Sequence, residues 1–424
     1  MTRRAEKGTG TQGANAEARS LATLLAPLVA GMTTTRQQLL AWVQAAGLVA
    51  LDAVFREEAA TLAGPKGRHD PTRSHHHWGT TPRQLTFGGR RLSVACPRVR
   101  SRAGEEAILP SVAAFRREDP LTARVMEQLL LGVSTRGYAP SLEAPPAGTR
   151  SRATSKSAVS RRLVTQTRRQ LAAQLAGRLD ELDLVALFLD GVHVAGQTLI
   201  VALGVTAEGS KTPLGLRLGS TENAAVCTEL LQELVTRGLR LDGRVLCVID
   251  GGKGLRKALG DVLGTSAVIQ RCQLHKQRNL LALVSKGHQA VVRTALRRAY
   301  RAGSAAAARR QLQALASWLE ANSHPDAGAS LREGLEETLT VLKLDLPPTL
   351  RRFFATTNCI ENLVATLRHV ARNVKRWRAG DMIHRWAGLG LLRAAARFRR
   401  IKGHRDLPRL ASALRPTAAD EAAA

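Results

Sequence analysis

LVALFLD (184–190) is an apolar run closed by a carboxylate, and VLCVID (245–250) repeats the pattern. Runs of this length read as buried β-strands, and an acidic residue where a strand runs out sets its oxygens at a sheet edge. Each aspartate must be desolvated or bind something, and each is followed by glycine (Gly191; Gly251 and Gly252), which lets backbone or phosphate approach closely. Asp190 and Asp250 can therefore share one divalent cation. Glu361, inside TTNCIEN (356–362), falls where a helix is expected to begin and supplies a third carboxylate from a distant part of the chain. An oxygen-only set selects hard cations, Mg²⁺ above all with Mn²⁺ able to substitute, and matches two-metal phosphoryl transfer.

The segments around these residues set the expected fold. QTLIVALGVTA (197–207), a turn at 208–211 and PLGLRL (213–218) read with 184–190 as an antiparallel meander. CTELLQELVTRG (227–238) is an amphipathic helix closing near Gly238, RVLCVID (244–250) a fourth strand parallel to the first, 253–260 a second helix and SAVIQ (266–270) a fifth strand. The order βββ-α-β-α-β is ribonuclease H-like, with the first and fourth strands side by side. The expectation is an α/β chain with a ribonuclease H-like core in two parts, 181–270 and 356–405. An all-α insertion, 271–355, interrupts it. Residues 359–400 read as a long basic helical region punctuated by Gly380 and Gly388, and 406–424 as a loose tail.

Upstream, 1–20 is a polar tail without periodicity, and 21–148 a mainly helical DNA-binding and dimerisation region. Within it, RQLTFGGRRLSVACPRVR (83–100) alternates about Gly88-Gly89 and predicts a β-hairpin. His75-His76-His77 is expected in an exposed loop before it, helical spacing returns at 121–133, and 138–148 is a Pro-rich linker. Segment 149–180 holds a basic helix with Ser155 as N-cap; Val159, Leu163, Leu171 and Leu175 share one face, apart from Arg161, Arg162, Arg168 and Arg169. That helix is either a solvated surface element or a DNA-contacting one.

Charge names the partner class. With 63 Lys+Arg against 34 Asp+Glu the formal net charge is +29, which points to nucleic acid. Residues 150–178 carry eight basic side chains and 271–310 carry ten, neither with an acidic one, while 366–405 carries twelve against Asp381 alone. Lys276, Arg278, Asn279, Arg372, Lys375, Arg376 and Trp377 are candidate DNA contacts in the latter two runs; Trp377 either packs or wedges against a base. Aromatic residues make up 3%, too few for stacking to dominate. Cys272-x-x-His275 lacks the second pair that a structural zinc site needs. Five cysteines without a C-x-x-C, and no run reaching the ~18–20 apolar residues of a membrane span, lead to the expectation of a cytoplasmic, nucleoid-associated protein.

LDGVHV (189–194), VIDGGKGLRKAL (248–259), QRCQLHKQRNLL (270–281) and TTNCIENLVATLRHVARNVKRW (356–377) resemble, in order, the signature blocks of bacterial Mutator-type transposases. RLSVACPRVRSRAGE (91–105) and LLLGVSTRGY (129–138) resemble that family's N-terminal region. The resemblance implies an Asp-Asp-Glu enzyme with Asp190, Asp250 and Glu361 as the triad and a helical insertion before the glutamate. It also implies binding to the terminal inverted repeats of a mobile element, and leans toward a circular intermediate. The Cys272/His275 pair matches the family's Cys-x-x-His element, beside the active site, where it either braces the site or contacts DNA. Joining two ends calls for at least a dimer on double-stranded DNA. A non-catalytic remnant acting as repressor, or a nuclease without strand transfer, are the alternatives.

Overall fold

Gly88 and Gly89 both carry positive φ, 56° and 77°, the backbone that a two-residue hairpin turn requires. In this computed structural model, which describes residues 36–68, 70–117, 120–145, 151–194, 196–219, 223–239, 243–372, 374 and 376–414, they join β1 (His75–Phe87) to β2 (Arg90–Ser101). The chain divides into two compact units between Leu163 and Val164. In the first, the hairpin's buried Leu85, Cys96 and Val99 pack with Phe55, Ala59 and Ala63 of α1 (Arg36–Ala63). Tyr138, wholly buried, donates its hydroxyl to the Gly89 carbonyl at 2.7 Å and pins the turn. The expected loop at His75-His76-His77 is strand instead: these residues face Ser101, Arg100 and Val99 across the ribbon. A register shift between His77 and Thr80, at Gly79 with φ 77°, breaks the alternation that would have revealed the strand. Short elements β3 (Glu106–Ala107), α2 (Pro110–Arg117), α3 (Pro120–Leu131) and β4 (Ser151–Arg152) complete this unit. Helix α4 (Lys156–Ala176) follows, with Ser155 Oγ accepting from the Ala158 N–H and Val159, Leu163 and Leu171 buried.

The second unit is built on five strands: β5 (Leu184–Val194), β6 (Gln197–Thr206), β7 (Lys211–Gly219), β8 (Val245–Ile249) and β9 (Ala267–Arg271). Their order is β7-β6-β5-β8-β9, antiparallel through β5 and parallel beyond it. Both faces are covered, so the central strands are apolar throughout rather than alternating. On one face Leu187, Leu189, Cys247 and Ile249 meet α5 (Ala224–Thr236) and α6 (Lys253–Leu263). On the other, Val185, Phe188 and Val248 meet a second helical layer that carries Glu361.

Seven helices lie between β9 and that layer, with no strand among the described residues: α7 (Gln273–Ala282), α8 (Gln289–Tyr300), α9 (Ala305–Ala321), α10 (Pro325–Arg332), α11 (Leu335–Thr338), α12 (Thr340–Lys343) and α13 (Pro348–Phe354). The first six form their own core around Leu296, Leu312 and Leu331, whereas Leu350 and Phe354 of α13 join the sheet core of Phe188. The wholly buried Gln270 of β9 accepts from the Val341 N–H at 3.0 Å and donates to the Thr338 carbonyl at 3.1 Å, so this helical region seals the sheet's edge strand.

Two expectations for the C-terminal part are corrected. The basic helical region is divided not at Gly380 and Gly388 but between Val370 and Ala379, into α14 (Asn358–Val370) and α15 (Ala379–Ala395). Gly380 and Gly388 lie inside α15, where Gly388 admits Leu171 at a distance that a Cβ would close to 2.6 Å. The loose tail expected over 406–424 is contradicted at its start, and 415–424 lie outside the described residues. Residues 407–414 form α16 (Leu407–Leu414), whose Leu407, Leu410 and Leu414 are buried in the same core as Phe188. Three leucines at i, i+3 and i+7 are a helical stripe that Pro408 obscured, although proline in a first turn is compatible with a helix.

Candidate active site

The parallel register ends at Leu189 opposite Ile249, so Asp190 and Asp250 are the next residues along two neighbouring strands. Asp190 is not at the end of its strand as the sequence implied. β5 runs four residues further, paired only with β6, with Asp190 opposite Val201. Alternation puts Asp190 on the face of Phe188, the face that α14 covers.

Asp190 is 6% exposed. Burial first, and then the charge of Asp250, push its pKa up to about 6, while His275 and the Thr357 hydroxyl pull the other way. Asp250 is half-buried and fixed by its own turn: the Gly252 N–H donates to its Oδ1 at 2.8 Å while Gly251 takes φ 99°. Against Gly251 lies Arg271, 8% exposed, whose Nε would sit 2.1 Å from any Cβ added there. Its guanidinium bonds the Glu333 carbonyl at 3.2 Å and ties the Asp250 turn to the helical region.

Glu361 sits in the first turn of α14, where the helix dipole favours a carboxylate. Arg278 Nη1 donates to its Oε1 at 2.7 Å, and His275 Nε2 stands 4.0 Å away. Among the described residues no three His, Cys, Asp or Glu side chains converge as a ready-made metal cluster. The Asp190–Asp250 pair has the chemistry of a cation site, since like charges crowded into a desolvated strand end favour a divalent ion.

Cys272 and His275 link these parts. The Cys272 N–H donates to Ile249 O, the residue before Asp250, at 2.7 Å. Its Sγ accepts from the Thr357 N–H at 3.4 Å, and the Thr357 hydroxyl lies 3.4 Å from His275 Nδ1. Hydrogen bonding to Cys272 raises His275 to about 9; burial works to raise the Cys272 thiol, but hydrogen bonds from His275 and Thr357 outweigh it and leave it lowered. This clip registers the helix of Glu361 to the strand of Asp250. Thr357 and Arg271 were missed in the sequence: a threonine before an acidic helix start reads as a cap, and an arginine closing a strand reads as a surface charge.

The DNA-contact candidates divide. Lys276 is fully buried, donates to the carbonyls of Ser330 and Glu333, and is lowered to about 8 by desolvation, so it is structural and the sequence expectation is corrected. Its position on an amphipathic helix gave no sign that α10 packs over it. Arg278 is committed to Glu361, Arg168 pairs with Asp381 at 2.9 Å, and Arg162 donates to Thr122 at 2.8 Å. Arg372 is exposed and bonds the His369 ring and carbonyl. Arg161, Arg169, Asn279 and Arg376 are exposed and Trp377 half-buried; Lys375 lies outside the described residues.

The model of the transposase family called Mutator matches residues 33–392. The chain belongs to the Mutator family of transposases. This transposase-family chain is 30% identical over 245 residues to a transposase for insertion sequence element ISRM3 of Rhizobium meliloti (strain 1021), covering 56% of this chain and 60% of the relative. A transposase for insertion sequence element IST2 of Acidithiobacillus ferrooxidans is 33% identical over 177 residues, 42% of this chain and 58% of its own length. One for insertion sequence element IS905 of Lactococcus lactis subsp. lactis (strain IL1403) is 29% identical over 293 residues, 67% and 71%. The chain thus spans less than two thirds of the first two relatives' lengths. No helix among the described residues is long and apolar enough to cross a membrane.

Proposed function

We propose that this chain is a DNA transposase of an insertion sequence, binding terminal inverted repeats and catalysing strand cleavage and 3′-end joining through Asp190, Asp250 and Glu361. The observation that carries the reading is Asp190: a buried carboxylate crowded by Asp250 where the parallel pairing of their two strands stops, under the helix that bears Glu361. Two carboxylates crowded into a desolvated place are offset either by a proton, which Asp190 holds below about pH 6, or by a cation. The sheet order β7-β6-β5-β8-β9 supports a ribonuclease H-like core, and the helices from Gln273 to Phe354 support an all-α insertion before Glu361.

Asp190, Asp250 and Glu361 would hold Mg²⁺, or Mn²⁺ in its place, which would activate the attacking water or 3′-hydroxyl and stabilise the leaving oxygen. The protein's own contribution is position. The Gly252 N–H holds the Asp250 carboxylate, the Cys272–Thr357 clip holds the start of α14, and Arg278 waits beside Glu361 as a cation that a DNA phosphate can attract. The net charge of +29 supports duplex DNA as the partner, and two ends to be joined support at least a dimer on it. Asp250→Asn should abolish cleavage and 3′-end joining while leaving duplex affinity within about twofold, because binding rests on Lys and Arg. Cleavage at wild-type rate in that variant would overturn the triad. Cleavage without end joining by the wild type would point to a nuclease instead.

A further inference from the structure

On the flank of α14 that Asn358 and Asn362 occupy, next around the helix from Glu361, lies a cleft of 760 Å³ that the proposed chemistry does not use. Its cations come from three parts of the chain: Lys211 at the start of β7, Arg352 in α13, and Arg397, Arg399, Arg400 and Lys402 after α15. No carboxylate lines it, and among the described residues only Glu208, 4.0 Å from Arg400, approaches any of these charges. Its walls are nonetheless apolar. Phe353 and Phe398 stand there half-buried beside Leu363 and Ile401, and Lys211 Nζ lies 4.8 Å from the Phe398 ring centroid. Asn358 and Asn362, one helical turn apart on α14, present amide groups at the same opening.

A site with flat apolar faces, hydrogen-bonding amides and a ring of cations with no carboxylate in its lining suits a planar heterocycle carrying phosphate, and the volume falls within the roughly 300–1,000 Å³ of small-ligand sites. We infer that this cleft takes a single nucleotide drawn out of a DNA strand beside the cleavage site. A base inside an intact duplex has both faces stacked and offers neither to Phe398; an unpaired one does. The base lies against Phe353 and Phe398, its edge meets Asn358 or Asn362, and its flanking phosphates meet Arg399 and Lys402. The inference rests on the transposase reading, since α14 places Glu361 and the cleft on adjacent flanks of one helix.

The test compares the full chain's affinity for a blunt duplex and for the same duplex with a short single-stranded 3′ tail. The tailed duplex should bind about tenfold more tightly, the size expected of one stacked base. Phe398→Leu, which keeps the apolar volume and removes the ring, should bring the ratio close to one. The exposed pair Arg399→Gln/Lys402→Gln should lower the ratio without depending on core packing. A wild-type ratio near one with the blunt duplex still bound would overturn the cleft alone, as would an unchanged ratio in both variants. Binding of neither duplex would overturn the transposase reading and the cleft with it.

Discussion

Replacing Asp190 by asparagine should stabilise the metal-free protein. The side chain is 6% exposed, and its pKa is raised from an ordinary 3.8 to about 6, by burial first and then by Asp250. At 1.36 kcal/mol for each pH unit, that rise corresponds to about 3 kcal/mol of preference for the neutral form in the folded state. Because the folded pKa lies above the unfolded one, the stabilising contribution of the protonated carboxyl is fully present below pH 3.8 and is lost as pH rises through about 6. The asparagine side chain stays neutral at every pH. Its advantage over Asp190 should therefore be absent near pH 4 and reach about 3 kcal/mol above pH 6, read from urea denaturation in chelator. Added Mg²⁺ should stabilise the wild type, by about 2.7 kcal/mol at a hundred times its dissociation constant, and leave the variant unmoved. A variant less stable than wild type at pH 8, or a gain of the same size at pH 4 and pH 8, would refute the reasoning.

Arg278→Ala removes the cation that holds Glu361 at 2.7 Å; a partly exposed pair of this kind contributes about 0.3–1 kcal/mol, so Mn²⁺ affinity of the DNA-free protein should rise about two- to fivefold by calorimetry. Unchanged or weaker Mn²⁺ binding would mean that the pair does not compete with the metal. Gly251→Ala should cost about 2 kcal/mol or more, since φ 99° and the Arg271 Nε at 2.1 Å both oppose a Cβ. Gly260→Ala, inside α6 with nothing within 4 Å of the new Cβ, should instead gain about 0.5–1 kcal/mol; equal urea midpoints for the two variants would contradict the clamp.

The order of strands and helices around Asp190 and Asp250 was legible in the sequence because burial of a sheet on both faces demands unbroken apolar runs, a local pattern that a carboxylate and a glycine end visibly. The Gly88-Gly89 hairpin was legible for the same reason, since its positive φ angles restrict the residue type locally. Polar strands and long-range contacts were not. His75–His77 joined β1 through a register shift, and α16 stood behind a proline. Tertiary packing alone decided that Lys276 is buried under the carbonyls of α10 and its end while Arg278, two residues on, reaches Glu361. A lysine's spacing on a helix says which way it points, but what it meets depends on a segment more than fifty residues away. The same holds for the cleft beside α14, whose cations come from β7, α13 and the segment after α15. Side-chain periodicity reports which face of an element is apolar, and only the summed burial of the folded chain determines which elements those faces bring together.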